Sequence, residues 1–191
     1  TEARKAEQAV VDGEELGLLH GLPVGIKDLE ATAEIRMTSG SKLYADHVPT
    51  RDQGSVANIR DAGGIILGKT NTPEFGAGAN TRNLVFGATG NPFDPVKTCG
   101  GSSGGSAVAL ATGMVPLASG SDYGGSLRTP ASFCGVVGIR PSPGMVAAEG
   151  RPVGLLPFSV LGPMGRTVDD AYMLLQAQAG TDPHDPFSTA P

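Results

Sequence analysis

Two segments rich in glycine and serine carry the residues most able to do chemistry. The first glycine–serine segment, 100–106, reads Gly-Gly-Ser-Ser-Gly-Gly-Ser and leads into an apolar stretch. The second, 120–128, reads Gly-Ser-Asp-Tyr-Gly-Gly-Ser-Leu-Arg and follows an apolar stretch. Glycines beside a serine leave backbone N–H groups uncovered, and such groups can bind negative charge that develops on an oxygen. The pair of segments therefore favours acyl-transfer chemistry over two ordinary loops.

A serine nucleophile needs a base, and this chain has few histidines. Residues 101–105 fit the pattern G-x-S-x-G around Ser103, but that arrangement needs an acid and then a histidine later in the chain. The histidine that follows is His184, in a segment rich in proline and aspartate. A neutral lysine can replace histidine when burial lowers its pKa. Lys27 is the best candidate, because it directly follows the apolar residues 24–26.

Residues 63–70 fit the phosphate-loop pattern G-x-x-x-x-G-K-[ST]. That pattern binds phosphate when a strand precedes the loop and a helix follows it. Here a helical pattern precedes it, the residues between the glycines are Ile-Ile-Leu, and Pro73 follows. We therefore expect a core strand at this position and no nucleotide site.

Several segments together resemble the amidase signature family. Besides the two glycine–serine segments, they are Gly-Ile-Lys-Asp at 25–28, Pro-Ala-Ser-Phe-Cys-Gly-Val-Val-Gly at 130–138 and Gly-Pro-Met-Gly-Arg-Thr-Val at 162–168. The resemblance runs from about residue 16 to 180, and this order of motifs is highly specific. It implies a layered α/β/α fold with a central mixed sheet and the hydrolysis of a carboxamide bond.

The resemblance also implies roles by position. Ser126 matches the family's nucleophile, Ser102 the serine that transfers the proton, and Lys27 the base. The peptide bond before Ser102 is cis in the family. The amides of the stretch Tyr123, Gly124, Gly125 and Ser126 match the oxyanion hole, whereas Asp122, Arg128 and Ser103 match residues that support the site.

The implied mechanism begins when neutral Lys27 takes a proton from Ser102, which takes one from Ser126. Ser126 then attacks the amide carbonyl, and water later releases the acid from an acyl-enzyme. Two residues depart from the family pattern. Tyr123 replaces a smaller or aliphatic residue, so its side chain is expected to narrow or polarise the site. Cys99 stands where proline or a small residue is commoner, and we expect a buried thiol there.

Helices and strands alternate along the chain, which predicts an α/β fold around a central sheet. Hydrophobic spacing and capping signals give the boundaries. The predicted helices are 1–16, 54–62, 104–112, 129–133 and 168–179, and the predicted strands are 21–26, 65–67, 115–118 and 135–139. Residues 31–52 and 71–98 are expected to be irregular.

Composition excludes several classes of protein. With 39% hydrophobic and 17% charged residues, the chain can form a core as a single domain. A net charge of -5 argues against a nucleic-acid or anionic-membrane surface. No apolar run approaches the roughly 18 residues of a membrane helix. Cys99 and Cys134 make neither a disulfide framework nor a metal site. We expect a cytoplasmic enzyme without cofactor or metal that acts on a small-molecule amide, and the resemblance is compatible with a homodimer.

Length leaves alternatives open. Enzymes of this family run to several hundred residues, so residues 1–191 are expected to form only part of the catalytic domain, without its C-terminal half. One alternative is the amidase subunit of a tRNA-dependent amidotransferase, which has the same core; the stretch 150–158 resembles stand-alone amidases more. Another is an inactive fragment that only folds or binds, and we expect the isolated chain to be inactive or unstable.

Overall fold

A computed structural model describes residues 1–149 and 156–188 of the chain. Its helices and strands alternate over most of these residues, as predicted, with two places where strands follow one another directly. Its helices are α1 (Glu2–Asp12), α2 (Gly54–Asp61), α3 (Gly104–Ala111), α4 (Arg128–Cys134) and α5 (Val168–Gln178). Its strands are β1 (Pro23–Lys27), β2 (Ile65–Thr70), β3 (Arg82–Asn83), β4 (Gly87–Ala88), β5 (Leu117–Asp122), β6 (Val137–Gly138) and β7 (Val160–Gly165).

Five of the strands form one mixed sheet in the order β2–β1–β5–β7–β6. Strand β1 runs parallel to both β2 and β5, whereas β7 runs antiparallel to β5 and β6. The carboxyl ends of β1 and β5 therefore lie at the same edge of the sheet. Ligand sites of open α/β sheets usually lie outside such carboxyl ends.

Each face of the sheet packs against helices. Val24 and Ile26 of β1 and Leu117 of β5 join a buried cluster with residues of α2 and α5. The neighbouring Ala118 belongs to a second cluster, formed with residues of α3 and α4. Because successive side chains of a strand point to opposite faces, the two clusters lie on opposite sides of the sheet. This arrangement confirms the predicted α/β/α fold.

Two glycines allow unusually close packing around the start of α3. A Cβ on Gly105 would lie 2.2 Å from the backbone nitrogen of Asn71, directly after β2. A Cβ on Gly120 would lie 2.8 Å from the Oγ of Ser103. Any side chain at either position would push α3, and the serines before it, away from the sheet.

Most predicted helices agree with the structure to within a residue or two, but α1 is shorter than expected. It ends at Asp12, because Gly13 adopts the left-handed conformation that terminates a helix. Leu16 lies beyond it and is exposed, whereas Ala6 and Ala9 are half-buried. The helix predicted at 1–16 is therefore confirmed for residues 2–12.

Three strand predictions were wrong in extent, and one central strand was missed. The strand predicted at 135–139 is only the two residues of β6. Strand β5 continues to Asp122, so the start of the second glycine–serine segment is strand rather than turn. Strand β2 continues to Thr70, which confirms that residues 63–70 contain a strand and not a phosphate loop. Strand β7 was not predicted, although all six of its residues are buried. In the described ranges, no helix has the length and apolarity needed to cross a membrane.

Candidate active site

Lys27 is the last residue of β1, and its side chain is fully buried. Its Nζ donates hydrogen bonds to the Oγ atoms of three serines: Ser102 at 2.7 Å, Ser103 at 2.9 Å and Ser121 at 2.9 Å. The structure thus joins three residues that the sequence selected, and it adds Ser121, which the sequence analysis did not select.

Burial changes the proton affinity of Lys27. Loss of hydration disfavours the ammonium and lowers the pKa of Lys27 to about 7, although Glu30 and Asp122 act in the opposite direction. Near neutral pH a large share of the amine is therefore uncharged. An uncharged amine keeps a lone pair that can accept a proton from a hydroxyl hydrogen-bonded to it.

The serines of the first glycine–serine segment lie immediately before α3. The peptide bond between Gly101 and Ser102 is cis, as the resemblance implies. Thr81 holds the segment on both sides, because its hydroxyl donates to the Gly100 carbonyl at 2.8 Å and accepts from the Gly104 amide at 3.2 Å. The segment is therefore tied to the loop before β3 as well as to Lys27.

Asp122 organises the second glycine–serine segment. Its buried carboxylate accepts hydrogen bonds from the amides of Gly125 at 2.7 Å and Leu127 at 3.1 Å. Arg128 donates two hydrogen bonds to it, and Arg140 donates a third. Burial acts to raise the pKa of Asp122, but the hydrogen bonds from Arg128 and the two amides outweigh it and hold the pKa well below its usual range. The carboxylate therefore stays ionised and fixes the turn.

The turn itself depends on glycine. Gly125 has a φ of +123°, which L side chains rarely adopt, and a Cβ there would lie 2.9 Å from the Oγ1 of Thr129. In the described part of the chain, no atom lies within 4 Å of a Cβ placed on Gly124. Gly125 is thus required by the backbone, whereas Gly124 leaves space open beside the site.

Ser126 lies beside the other serines but is bonded differently. It is half-buried, and its carbonyl accepts a hydrogen bond from the Ser103 amide at 3.1 Å. Its Oγ makes no hydrogen bond to any residue that the structure describes. Ser126 and Ser102 line the same cavity, of about 610 Å³, together with Ser121. The structure therefore connects Lys27 to Ser102 directly and places Ser126 on the shared cavity.

The walls of the cavity are mainly apolar. Leu29, Phe75, Tyr123 and Leu156 lie along it, among backbone atoms of several glycines. The ring of Tyr123 meets the ring of Phe158 edge to face, with centroids 5.8 Å apart. Tyr123 therefore forms part of the wall, and the expected narrowing or polarising of the site by its side chain stays a prediction. Most of the stretch 150–158 used to distinguish stand-alone amidases lies outside the described residues.

The other residues considered as nucleophile or base lack the partners that such a role needs. Cys99 is fully buried, and burial raises the pKa of its thiol, so it stays protonated. His20 contacts the carbonyl of Ala6, and His184 contacts Asp182. Ser103, the centre of the G-x-S-x-G pattern, is bonded to Lys27 rather than to a histidine.

A buried lysine at the end of a strand of a mixed sheet, hydrogen-bonded to serines, is the arrangement expected of an amidase. The sequence matches the Amidase family over residues 1–191, and the chain belongs to this family. A glutamyl-tRNA(Gln) amidotransferase subunit from Trichodesmium erythraeum is 46% identical over 187 residues, which are 98% of this chain and 39% of that protein.

Solved structures agree with the family assignment. A bacterial aryl acylamidase of the amidase signature family superposes with a TM-score of 0.94 at 35% identity, over 100% of this chain and 40% of that one. The peptide amidase of Stenotrophomonas maltophilia superposes with a TM-score of 0.92 at 36% identity, over the same shares. The chain spans about two fifths of the length of these relatives.

Proposed function

We propose that the protein hydrolyses a carboxamide bond through an acyl-enzyme on Ser126, with Ser102 transferring protons and Lys27 as the base. The observation that carries the proposal is the fully buried Lys27 amine, 2.7 Å from the Oγ of Ser102 and with a pKa lowered to about 7. A buried lysine with an altered pKa, facing serines on a cavity, is typical of a functional site.

The first step of the proposed proton path uses the hydrogen bond between Lys27 and Ser102, and the second step crosses the cavity that Ser102 shares with Ser126. Neutral Lys27 accepts the hydroxyl proton of Ser102, and Ser102 takes the proton of Ser126 as the Oγ of Ser126 attacks the amide carbonyl carbon. The C–N bond then breaks, and the proton returns through Ser102 to the leaving nitrogen. A water molecule repeats the sequence on the ester, which frees the carboxylic acid and restores Ser126.

Backbone amides of the second glycine–serine segment bind the oxyanion in this proposal. The Gly125 amide is already bonded to Asp122, so Gly125 contributes mainly by shaping the turn. The amides of Tyr123, Gly124 and Ser126 are then the donors aimed at the substrate oxygen. Ser103 supports them, because its amide binds the carbonyl of Ser126 and its hydroxyl accepts from Lys27.

A second candidate is the amidase subunit of a tRNA-dependent amidotransferase. The 46% identity to such a subunit favours it, and so does the 39% identity to the solved structure of such a subunit from Thermotoga maritima, against 35% for the aryl acylamidase and 36% for the peptide amidase. Glutamine would then be the amide, and partner subunits would be required. Glutaminase activity that appears only with a co-purified tRNA-binding partner would select this candidate over a stand-alone amidase.

The test uses a fluorophosphonate probe, which reacts with activated serines and does not require the substrate to be known. We expect the full-length protein to be labelled at Ser126 and to hydrolyse members of a panel of carboxamides and anilides. Ser126→Ala should abolish both reactions, whereas Ser132→Ala, which changes an exposed serine of α4, should leave them intact. Undiminished hydrolysis by Ser126→Ala would refute the proposal.

A further inference from the structure

Glu30 is a fully buried carboxyl group that the proposed proton path does not use. It lies in the turn directly after β1, and its amide donates to the Lys27 carbonyl at 3.0 Å. Its Oε1 accepts a hydrogen bond of 2.5 Å from the Oγ of Ser119, and that same Oγ accepts the Lys27 amide at 3.1 Å. These contacts close a ring of Lys27, Glu30 and Ser119, so both backbone polar groups of Lys27 are held through Glu30.

The rest of Glu30 is bound by neighbouring elements. Ser55 of α2 donates to Oε2 at 3.1 Å, and the Lys69 ammonium of β2 donates to the Glu30 carbonyl and, at 3.0 Å, to the Thr32 hydroxyl. Among the described residues, the carboxylate oxygens accept from hydroxyls and from no cation. A buried polar group with its hydrogen bonds satisfied is held in one position.

Few charges face Lys27. They are the carboxylates of Glu30, after β1, and Asp122, at the end of β5. Asp122 is bonded to the guanidinium groups of Arg128 and Arg140, which offset its charge. Lys69 lies beside Glu30 but donates to its carbonyl rather than to its carboxylate. Glu30 is therefore the carboxyl group near Lys27 whose own oxygens are bonded to neutral groups. Burial raises the pKa of Glu30, and the hydrogen bonds from Ser119 and Ser55 and the charges of Lys69 and Lys27 act in the opposite direction.

We propose that Glu30 is a positioning residue for Lys27: its carboxyl group fixes the lysine backbone through Ser119, and in its ionised form it adds a negative charge near the lysine amine. This inference rests on the proposed function, in which Lys27 acts as the base. Burial alone would lower the pKa of Lys27 further, and the Coulomb attraction of Glu30 opposes that change. Glu30 thus keeps the base strong enough to take a proton from a serine hydroxyl.

The test is the pH dependence of fluorophosphonate labelling at Ser126 in the full-length protein. In the unchanged protein the rate should rise with pH around a midpoint near 7, as Lys27 loses its proton. Glu30→Gln keeps the size of the side chain but removes its charge, so the Lys27 pKa should fall. We expect the midpoint to move down by about one pH unit, and the rate on the high-pH plateau to fall because the base is weaker.

Glu34→Gln is the matched control, because Glu34 is exposed and the same chemical change there should alter neither midpoint nor plateau. A plateau reduced by Glu30→Gln with an unmoved midpoint would mean a purely structural role and would overturn the proposal. If Glu30→Gln does not fold, Glu30→Asp decides. Glu30→Asp keeps the charge but shortens the side chain that reaches Ser119. A lower labelling rate on the high-pH plateau with an unmoved midpoint supports the proposal. An unchanged plateau rate or a shifted midpoint overturns it.

Failure of this inference is distinguishable from failure of the proposed function. If the unchanged protein is not labelled at Ser126, or its labelling rate has no midpoint near pH 7, the proposed function itself is wrong. If both are present and Glu30→Gln leaves the midpoint in place, only the role of Glu30 is refuted.

Discussion

In the first glycine–serine segment, Ser102 and Ser103 are buried and both accept hydrogen bonds from Lys27. In the second segment, Tyr123 and Gly124 are exposed, and Ser126 is half-buried. The two segments share a composition but differ in their surroundings. Ser102 and Ser103 face the buried amine just before a helix, and Ser121 at the start of the second segment faces it too. Beyond Ser121 the second segment turns outward at the end of a strand, and residues 123–126 line the cavity beside Ser102.

The difference suggests a division of work between the two segments. The serines of the first are positioned by partners on every side, which suits groups that pass a proton along fixed hydrogen bonds. The Asp122 carboxylate holds the second segment through the amides of Gly125 and Leu127, while residues 123–126 of the segment line the cavity, where a substrate can bind. An attacking hydroxyl and the donors for an oxyanion must be accessible, and these residues are. Three substitutions test this difference between the segments, and they follow in order of decreasing expected effect.

Lys27→Met should have the largest effect, because it removes the proposed base, which contacts Ser102 and Ser103 of the first segment. Proton transfer by a positioned base typically contributes about 10²- to 10⁴-fold, so we expect fluorophosphonate labelling of Ser126 to slow by about that factor. The rise of the rate around pH 7 should also disappear. Stopped-assay labelling rates from pH 5 to 10 measure both quantities.

Lys42→Met is the control for Lys27→Met, since Lys42 is exposed and distant in sequence from both segments. Thermal unfolding of both variants should confirm that they remain folded. A folded Lys27→Met variant that is labelled at the normal rate would remove the reason for assigning proton transfer to the first segment.

Gly125→Ala should have the next largest effect, and it acts on the second segment. A Cβ at a φ of +123°, 2.9 Å from the Oγ1 of Thr129, would force the turn to change. A residue held in such a conformation costs about 1–3 kcal/mol, so we expect a lower melting temperature and labelling at least about tenfold slower.

Gly124→Ala is the matched comparison, because a Cβ there enters open space among the described residues. Its melting temperature should be unchanged, and any loss of rate should grow with the size of the substrate. Equal thermal destabilisation of the two variants would contradict the distinction between a glycine required by the backbone and one that leaves room for a ligand.

Ser121→Ala should have the smallest effect. Ser121 accepts a hydrogen bond from the Lys27 amine, so its loss disfavours the ammonium and should lower the Lys27 pKa. A hydrogen bond contributes about 0.5–1.5 kcal/mol net, and one pKa unit corresponds to about 1.4 kcal/mol, so the midpoint of labelling should fall by about half a unit. A midpoint that rises instead would show that Ser121 does not stabilise the charged amine.

The sequence was sufficient for the fold class and for Ser102 and Ser103, two of the three serines that accept hydrogen bonds from Lys27. Helices such as α2 and α5 carry regular apolar spacing, and α5 also begins with a capping box between Thr167 and Asp170. The two glycine–serine segments were recognisable because their composition differs from that of the surrounding chain. Local signals of this kind do not depend on which other segments lie nearby.

Features set by tertiary contacts were harder to predict. Strand β7 contains Pro163 and two glycines, which argue against a central strand, yet its partners on both sides hold it in the sheet. Glu30 and Ser121 look like ordinary polar residues in sequence. They matter because the parallel strands β1 and β5 place their carboxyl ends side by side. Ser119 and Ser121, two residues apart on β5, then both bond to Lys27.

The three hydroxyl groups around the Lys27 amine can adapt to a change in its charge. A hydroxyl can donate or accept simply by rotating its hydrogen about the C–O bond. When the lysine is charged, all three oxygens can accept its protons, and when it is neutral, one hydroxyl can turn its hydrogen toward the lone pair. The charge of the site can therefore change while every heavy atom stays in place, so the surrounding structure needs little reorganisation during turnover.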